Sequence, residues 1–337
     1  MIDLRSDTVT RPTPEMLKFM FSAKVGDDVY KEDTSINELQ KKAAAIFGKE
    51  EGLFCPSGTM TNQCAIKAHT QPGDEVICDV SAHIFNYEGG GMAFNSGVQA
   101  KLLNGDRGRF TSKQIEAVIH PPADWLPHTS LVCIENTSNR GGGSYYRINE
   151  VKDIAGVCKT NKLALHLDGA RIFNAIAETG DKPQEYGQYC DSISVCFSKG
   201  LGAPVGSVIL GSKEFISKAR RVRKLLGGGM RQGGYLAAAA IYALDHHIER
   251  LKDDHRRAKY LGKILQTKNF VTDMLPVDTN IIIFSLTDDI TAEQFVQKLK
   301  NENILISATG KQTVRMVTHL DFTDNMLEKV ENAFKCL

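Results

Sequence analysis

Two charged side chains stand at the ends of otherwise apolar runs. Asp168 closes one in Leu163-Ala-Leu-His-Leu-Asp-Gly-Ala-Arg171, and Lys199 closes another in Ser192-Ile-Ser-Val-Cys-Phe-Ser-Lys-Gly-Leu-Gly202. Runs of this kind read as buried parallel strands, and open α/β sheets gather their ligand-contacting groups at the carboxyl ends of such strands. A lysine there can be desolvated into a nucleophile, and a carboxylate there needs a cationic partner. Either residue alone could equally be a solvated loop charge or half of a structural ion pair.

Pro56-Ser57-Gly58-Thr59 follows the apolar run ending at Cys55 and opens a helical segment from Met60 to His69. A helix start of this kind aims free N–H groups and the positive end of the helix dipole at an anion, and phosphate fits the position. By itself the tetrapeptide is also an ordinary strand-to-helix turn with a Ser/Thr cap. Together, a Schiff-base amine (Lys199), an anion to keep a ring nitrogen protonated (Asp168) and a phosphate turn (Ser57, Gly58, Thr59) are what pyridoxal 5'-phosphate requires. His83, at the mouth of the run ending at Asp79, could stack on a flat ring if it shares that crevice. His166 lies two residues before Asp168 and faces the same side of a regular strand.

Two arginines suit an amino-acid carboxylate, which a guanidinium grips bidentately. Arg171 follows Asp168 by three residues, and Arg315 lies in Val314-Arg-Met-Val-Thr-His319, where surface ion pairing is the competing reading. Three triple-glycine runs, 89–91, 141–143 and 227–229, permit close backbone approach or positive φ, although 141–143 also reads as a flexible loop. The basic run Lys218-Ala-Arg-Arg-Val-Arg-Lys224 reads as a solvated helix face that could supply a phosphate ligand.

The elements that position these residues alternate strand and helix. Apolar runs at 52–55, 75–78, 131–134, 163–167, 193–197 and 207–210 predict strands of an open α/β sheet. Between them, Ser35-x-x-Glu38 and Gly48 bracket one helix, Thr111-x-x-Gln114 opens a second, and Asn149 precedes a third. Residues 232–266 read as one long helical connector leaving the main domain. Beyond it, strands at 281–284, 304–306 and 314–317 and helices at 291–300 and 323–334 predict a small α+β domain, dividing the chain into 1–245 and 246–337.

Composition excludes more than it identifies. The 337 residues carry 41 Lys+Arg against 40 Asp+Glu, a net charge of +1, which argues against a nucleic-acid or anionic-membrane partner and for a small molecule. No apolar run is long enough to span a bilayer. Eight cysteines without regular spacing predict reduced thiols in a cytoplasmic protein, with no metal site required.

Several longer blocks carry a resemblance. Asp3-Leu-Arg-Ser-Asp-Thr-Val-Thr-Arg-Pro12, Val25-Gly-Asp-Asp-Val-Tyr30, His166-Leu-Asp-Gly-Ala-Arg-Ile-Phe-Asn174, Ser198-Lys-Gly-Leu-Gly-Ala-Pro-Val-Gly-Ser207, Gly227-Gly-Gly-Met-Arg-Gln232 and Val314-Arg-Met-Val-Thr-His-Leu-Asp321 resemble the low-specificity L-threonine aldolases along essentially the whole chain. The resemblance implies the fold type I architecture of pyridoxal-phosphate enzymes: a mainly parallel seven-stranded sheet flanked by helices, with a small C-terminal α+β domain. It implies Lys199 as the Schiff-base lysine, Asp168 on the ring nitrogen, His83 on the ring face, and Gly58 and Thr59 on the phosphate. Ser6, Arg171 and Arg315 match positions that bind the substrate carboxylate. Lys224 and Arg231 match basic positions that reach the phosphate from a neighbouring subunit of a homotetramer, and Tyr30 is placed to enter an adjacent site.

The implied reaction is retro-aldol cleavage of threonine or allo-threonine to glycine and acetaldehyde. Many family members carry histidines where this chain has Trp125, with His128 nearby, and Ser138 in Glu135-Asn-Thr-Ser-Asn139. That leaves His83 as the candidate base for the substrate hydroxyl. Racemisation, β-elimination or transamination on the same scaffold, or a catalytically silent relative, are the competing readings.

Overall fold

The computed structural model describes residues 1–335, so Cys336 lies outside the described residues. In chain order the strands are β1 (Ile2–Asp3), β2 (Glu51–Cys55), β3 (Glu75–Asp79), β4 (Gln99–Leu103), β5 (Thr129–Glu135), β6 (Ala164–Gly169), β7 (Ser192–Cys196), β8 (Ser207–Gly211), β9 (Val271–Met274), β10 (Ile281–Leu286), β11 (Ile304–Leu305), β12 (Ser307–Ala308) and β13 (Thr313–Val317). Seven form the large sheet in the order β2-β8-β7-β6-β5-β3-β4. Only β8 runs against its neighbours β2 and β7; the other pairings are parallel.

The apolar runs become strands because both faces of the sheet are covered. Along β5, Val132 and Ile134 enter the main core with Leu165, Leu167, Ile193 and Val195 from the neighbouring strands, while Leu131 and Cys133 enter a cluster on the opposite face. Each fully buried aliphatic side chain of this kind contributes roughly 1.5–3 kcal/mol. Cys55, Cys78, Cys133 and Cys196 lie in these strands, and the seven described cysteines are free and buried.

Five details depart from the sequence expectation. The edge strand β4 carries Gln99, Ala100 and Lys101 and is only partly buried, so no apolar run marks it. The helix 34–47 is capped by Asp33, whose Oδ1 accepts the Ile36 N–H at 2.9 Å, and not by Ser35, which lies inside it. Asn149 also lies inside its helix, 148–160, where Glu150 reaches back to the Arg147 N–H at 2.7 Å. The predicted connector is two helices, 234–246 and 251–265, because His247 turns its Nδ1 to the Leu201 carbonyl, 2.7 Å away, and Arg250 turns to the Gly200 carbonyl. Gly141–Gly143 is a packed turn: a Cβ on Gly143, at φ +77°, would meet Thr279 Oγ1 at 2.1 Å, and one on Gly141 would meet the Arg107 carbonyl at 2.0 Å. The predicted caps at Thr111 and Gly48 form as expected.

The C-terminal residues build a four-stranded antiparallel sheet, β12-β13-β10-β9, over a second core that includes Ile282, Phe284, Phe295, Leu299, Val314 and Met316. The run 304–306 forms only β11, which pairs in parallel with β1 instead of joining this sheet, while β12 just beyond it pairs with β13. Ile2 and Leu4 therefore pack in the second core, although a division at residue 245 by chain order places them with the large unit.

Candidate active site

Lys199 sits in the loop between β7 and β8. Its backbone carbonyl accepts the Gly202 N–H at 2.8 Å, and Phe197 bonds across the loop base to Gly206 and Ala203. Bonds from His247 and Arg250 to the Leu201 and Gly200 carbonyls hold the outer part of this loop. The Lys199 side chain is half-buried and forms no hydrogen bond or ion pair among the described residues.

Asp168 ends β6, buried, opposite Glu135 of β5 and Ser194 of β7 in the strand register. Its Oδ2 accepts Asn62 Nδ2 at 2.8 Å and its Oδ1 accepts the Ala170 N–H at 3.1 Å. Asn62 lies one turn into the helix 58–69, so the helix that presents the Ser57-Gly58-Thr59 turn also braces the aspartate. The second Asn62 amide hydrogen goes to Glu88 Oε1, also at 2.8 Å, and Gln63 Nε2 bonds Glu88 Oε2 at 2.7 Å. Glu88 takes His83 Nδ1 at 2.9 Å, which leaves His83 Nε2 without a partner among the described residues. Burial opposes a charge on His83, but the Glu88 hydrogen bond and the Asp168 charge outweigh it and hold the ring's pKa above the ordinary histidine value. Candidate metal-ligating atoms of His83, Glu88 and Asp168 lie within 4.8 Å of one another, and Asn62 and the His83 ring already supply the donors that two carboxylates at this spacing need.

Glu135 braces His83 from below. Its oxygens accept the backbone N–H groups of His83 and Asn139, each at 3.0 Å. Burial, reinforced by the charge of Asp168, pushes its carboxyl up to about 6.

At the anion turn, Ser57 caps the helix by accepting the Met60 N–H, and the Gly58 and Thr59 N–H groups find no acceptor among the described residues. The buried Ser207 Oγ is also unpartnered and stands 3.6 Å from where a Gly58 Cβ would lie. These unsatisfied donors beside a half-buried lysine and a buried carboxylate suit an anionic cofactor with a phosphate and a ring nitrogen, so the residues present fit pyridoxal phosphate.

The two arginines behave differently. Arg171, buried at the end of β6, donates through Nε and Nη2 to the two carboxylate oxygens of Asp7, each at 2.7 Å. Burial alone would raise the Asp7 pKa, but Arg171 and Lys199 pull it down to about 2. Arg171 thus spends two of its donors inside the protein. Arg315 of β13 donates to Asn139 Oδ1 and to the Arg5 carbonyl, each at 3.0 Å, and its buried Nε has no partner. Burial and the neighbouring Arg171 charge hold its pKa below the usual arginine value. Ser6 caps the short turn 7–9 through its hydroxyl, immediately before Asp7.

Lys199, Asp168, His83, the Ser57-Gly58-Thr59 turn, Arg171 and Ser6 therefore gather at the carboxyl ends of the parallel strands, with Arg315 reaching in from the small sheet. Tyr30, Lys224 and Arg231 do not join them within this chain. All three are exposed, and Arg231 is only 4.0 Å from Asp27. Trp125, 83% exposed, and His128 precede β5 and lie at the opposite, amino end of the sheet. Ser138 is buried in a turn where its Oγ accepts the Gly141 N–H. Asp7, Asn62, Glu88 and Glu135 are site residues that motif reading did not single out. For Asn62 the available signal was its position one turn past Gly58, and for Glu88 its place five residues after His83.

Residues 3–289 match the beta-eliminating lyase family. The low specificity L-threonine aldolase of Escherichia coli (strain K12) is 40% identical over 331 residues, covering 98% of this chain and 97% of that protein. Low-specificity L-threonine aldolase 1 of Arabidopsis thaliana is 40% identical over 341 residues, 99% of this chain and 95% of that one. A solved structure of Leishmania major threonine aldolase superposes with a TM-score of 0.86 at 19% identity, covering 100% of this chain and 99% of that chain, a likeness of fold. The chain belongs to the beta-eliminating lyase family. Within that family its relatives at about 40% identity include low-specificity threonine aldolases.

Proposed function

We propose that the chain is a pyridoxal-phosphate-dependent carbon–carbon lyase that cleaves L-threonine or L-allo-threonine to glycine and acetaldehyde. The observation that carries this reading is the convergence of an unpaired lysine, a braced buried aspartate and an unsatisfied anion turn on one crevice. When bound, pyridoxal phosphate supplies the electron sink for the pair released as the Cα–Cβ bond breaks. Lys199 provides the amine that anchors it, Asp168 the acceptor for its ring N–H, and Ser57, Gly58 and Thr59 the cradle for its phosphate. Arg315, reaching in from the small sheet, and Arg171, through the nitrogen that Asp7 leaves free, hold the substrate carboxylate with Ser6. His83 Nε2 takes the proton of the substrate hydroxyl, while Glu88 on Nδ1 keeps the ring oriented and stabilises the charge it gains.

The same reading places the protein in the cytoplasm as a homotetramer with shared sites. The homotetramer is supported by the exposed apolar side chains Phe21, Val29, Tyr30 and Leu225; Val29 and Tyr30 follow Asp28, whose N–H bonds the Arg231 carbonyl, and Leu225 follows the exposed Lys224. No helix among the described residues is long and apolar enough to cross a membrane.

The test is a product assay with L-threonine, L-allo-threonine and L-serine on purified protein that carries a yellow, borohydride-bleachable chromophore. Glycine and aldehyde released together support the lyase. A racemised, deaminated or transaminated product, or a protein that never takes up pyridoxal phosphate, refutes it.

A further inference from the structure

A line of buried polar groups leaves the site and runs along one face of the sheet, between β6 and β7 and the helix 58–69. Asn62 stands between Asp168 and His166, His166 Nε2 lies 3.2 Å from Asn62 Oδ1, His166 Nδ1 lies 2.9 Å from Ser192 Oγ, and His69 Nε2 lies 2.8 Å from the same hydroxyl. His166 and Ser192 are fully buried. His69 ends the line where the sheet meets a surface cavity lined also by Lys49, Lys162 and Asp191, its ring stacked on Phe215 at 4.5 Å.

Every proton in this line is placed by its neighbours. Both Asn62 amide hydrogens face carboxylates, Glu88 and Asp168, which only accept. Asn62 Oδ1 must then accept, so His166 carries its proton on Nε2. A buried ring with no carboxylate on Nδ1 stays neutral, and burial holds the His166 pKa down at about 3. Its Nδ1 is therefore an acceptor and takes the Ser192 hydroxyl hydrogen. Ser192 Oγ, having spent its hydrogen, accepts from His69 Nε2–H.

We propose that His69, Ser192, His166 and Asn62 form a one-way hydrogen-bond chain whose donors all point toward Asp168, and that they act as positioning residues that keep this carboxylate oriented as an acceptor for the cofactor ring. The second half of the statement rests on the proposed pyridoxal-phosphate chemistry; the proton directions do not.

The test starts with the cofactor-free protein labelled with 15N-histidine, its ring signals assigned with H69Q and H166Q. His69 and His166 are both expected as neutral Nε2–H tautomers at neutral pH. An Nδ1–H tautomer at either position, or a protonated ring at His166, overturns the chain. In S192A, His166 is expected to stay Nε2–H, because Asn62 still offers it an oxygen, and His69 is expected to become a mixture of tautomers. A pure Nε2–H His69 in S192A would show that something else orients it and would also overturn the chain.

Pyridoxal phosphate titrated into wild type and S192A reads the consequence for Asp168: affinity about fivefold weaker in S192A, the loss of one net hydrogen bond. Equal affinities would refute the positioning role. Wild type that binds no pyridoxal phosphate would instead refute the functional reading and leave the tautomer result standing.

Discussion

Replacing Asp7 by alanine tests the pair that holds the arginine of the site. Asp7 is fully buried and Arg171 only 6% exposed, and two hydrogen bonds of 2.7 Å join them. The deletion leaves a guanidinium in the interior with no counter-charge, a change that costs about 3–5 kcal/mol. Equilibrium urea unfolding, followed at one fixed protein concentration because self-association shifts the midpoint, measures the loss. Adding Arg171→Met to Asp7→Ala removes the stranded charge and is expected to recover most of that stability. The pH dependence gives a second handle on the same pair. The Asp7 pKa is about 2 in the folded chain and near 3.9 unfolded, so its contribution is complete above about pH 4 and is lost as pH falls through 2. The stability at stake is about 2–3 kcal/mol, and Asp7→Ala should flatten that part of the curve. A loss below about 1 kcal/mol in Asp7→Ala, or no recovery in the double variant, would mean that the pair is not desolvated as described.

Lys199→Ala is expected to abolish the borohydride-bleachable chromophore and lower turnover by orders of magnitude, and near-normal turnover would refute its role. Asp168→Asn should still take up pyridoxal phosphate but turn over slowly, which steady-state kinetics and absorbance will show; unchanged kinetics would remove Asp168 from the ring nitrogen. Burial keeps the His69 pKa at about 4 and that of His166 at about 3, below the unfolded value near 6.5. Their contribution is therefore complete above about pH 6.5 and is lost as pH falls from there toward 3. A His166→Gln variant should lose stability less steeply over that interval, and an unchanged slope would contradict a neutral buried ring. Gly143→Ala should destabilise by more than 1 kcal/mol in urea unfolding, because the added carbon meets Thr279 and the backbone is left-handed.

The parts of the fold legible in the sequence are those where burial writes a pattern. β3, β5, β6, β7 and β8 read as apolar runs because helices cover both faces, and Lys199 and Asp168 were conspicuous as charges ending such runs. β4 and β9 are edge strands with exposed polar positions, and β1 is two residues long, too short for any period. The break between the helices 234–246 and 251–265 has no proline or glycine to announce it and is set by contacts of His247 and Arg250 with the lysine loop. Asp33 prevails over Ser35 as the cap because its other oxygen also takes the N–H groups of Gly26 and Gly234, the latter far away in the chain. The same distance hid the partner of Arg171: nothing local in either segment reports that Asp7 will meet it.

The parallel pairing of β1 with β11 also sets an order of assembly during synthesis. Ile2 emerges from the ribosome about 300 residues before its strand partner Ile304, a wait of roughly 15–60 s at ordinary elongation rates. Throughout that interval Ile2 and Leu4 have no small core to enter, while the strands of the large sheet are already available to one another. Until the C-terminal sheet emerges, the segment carrying Ser6 and Asp7 lacks its β11 anchor and is held on that side only by the Asp7–Arg171 pair. A nascent chain stalled before residue 300 should hold a formed large sheet and a protease-sensitive amino-terminal segment, and the crevice would be among the last parts of the molecule to close.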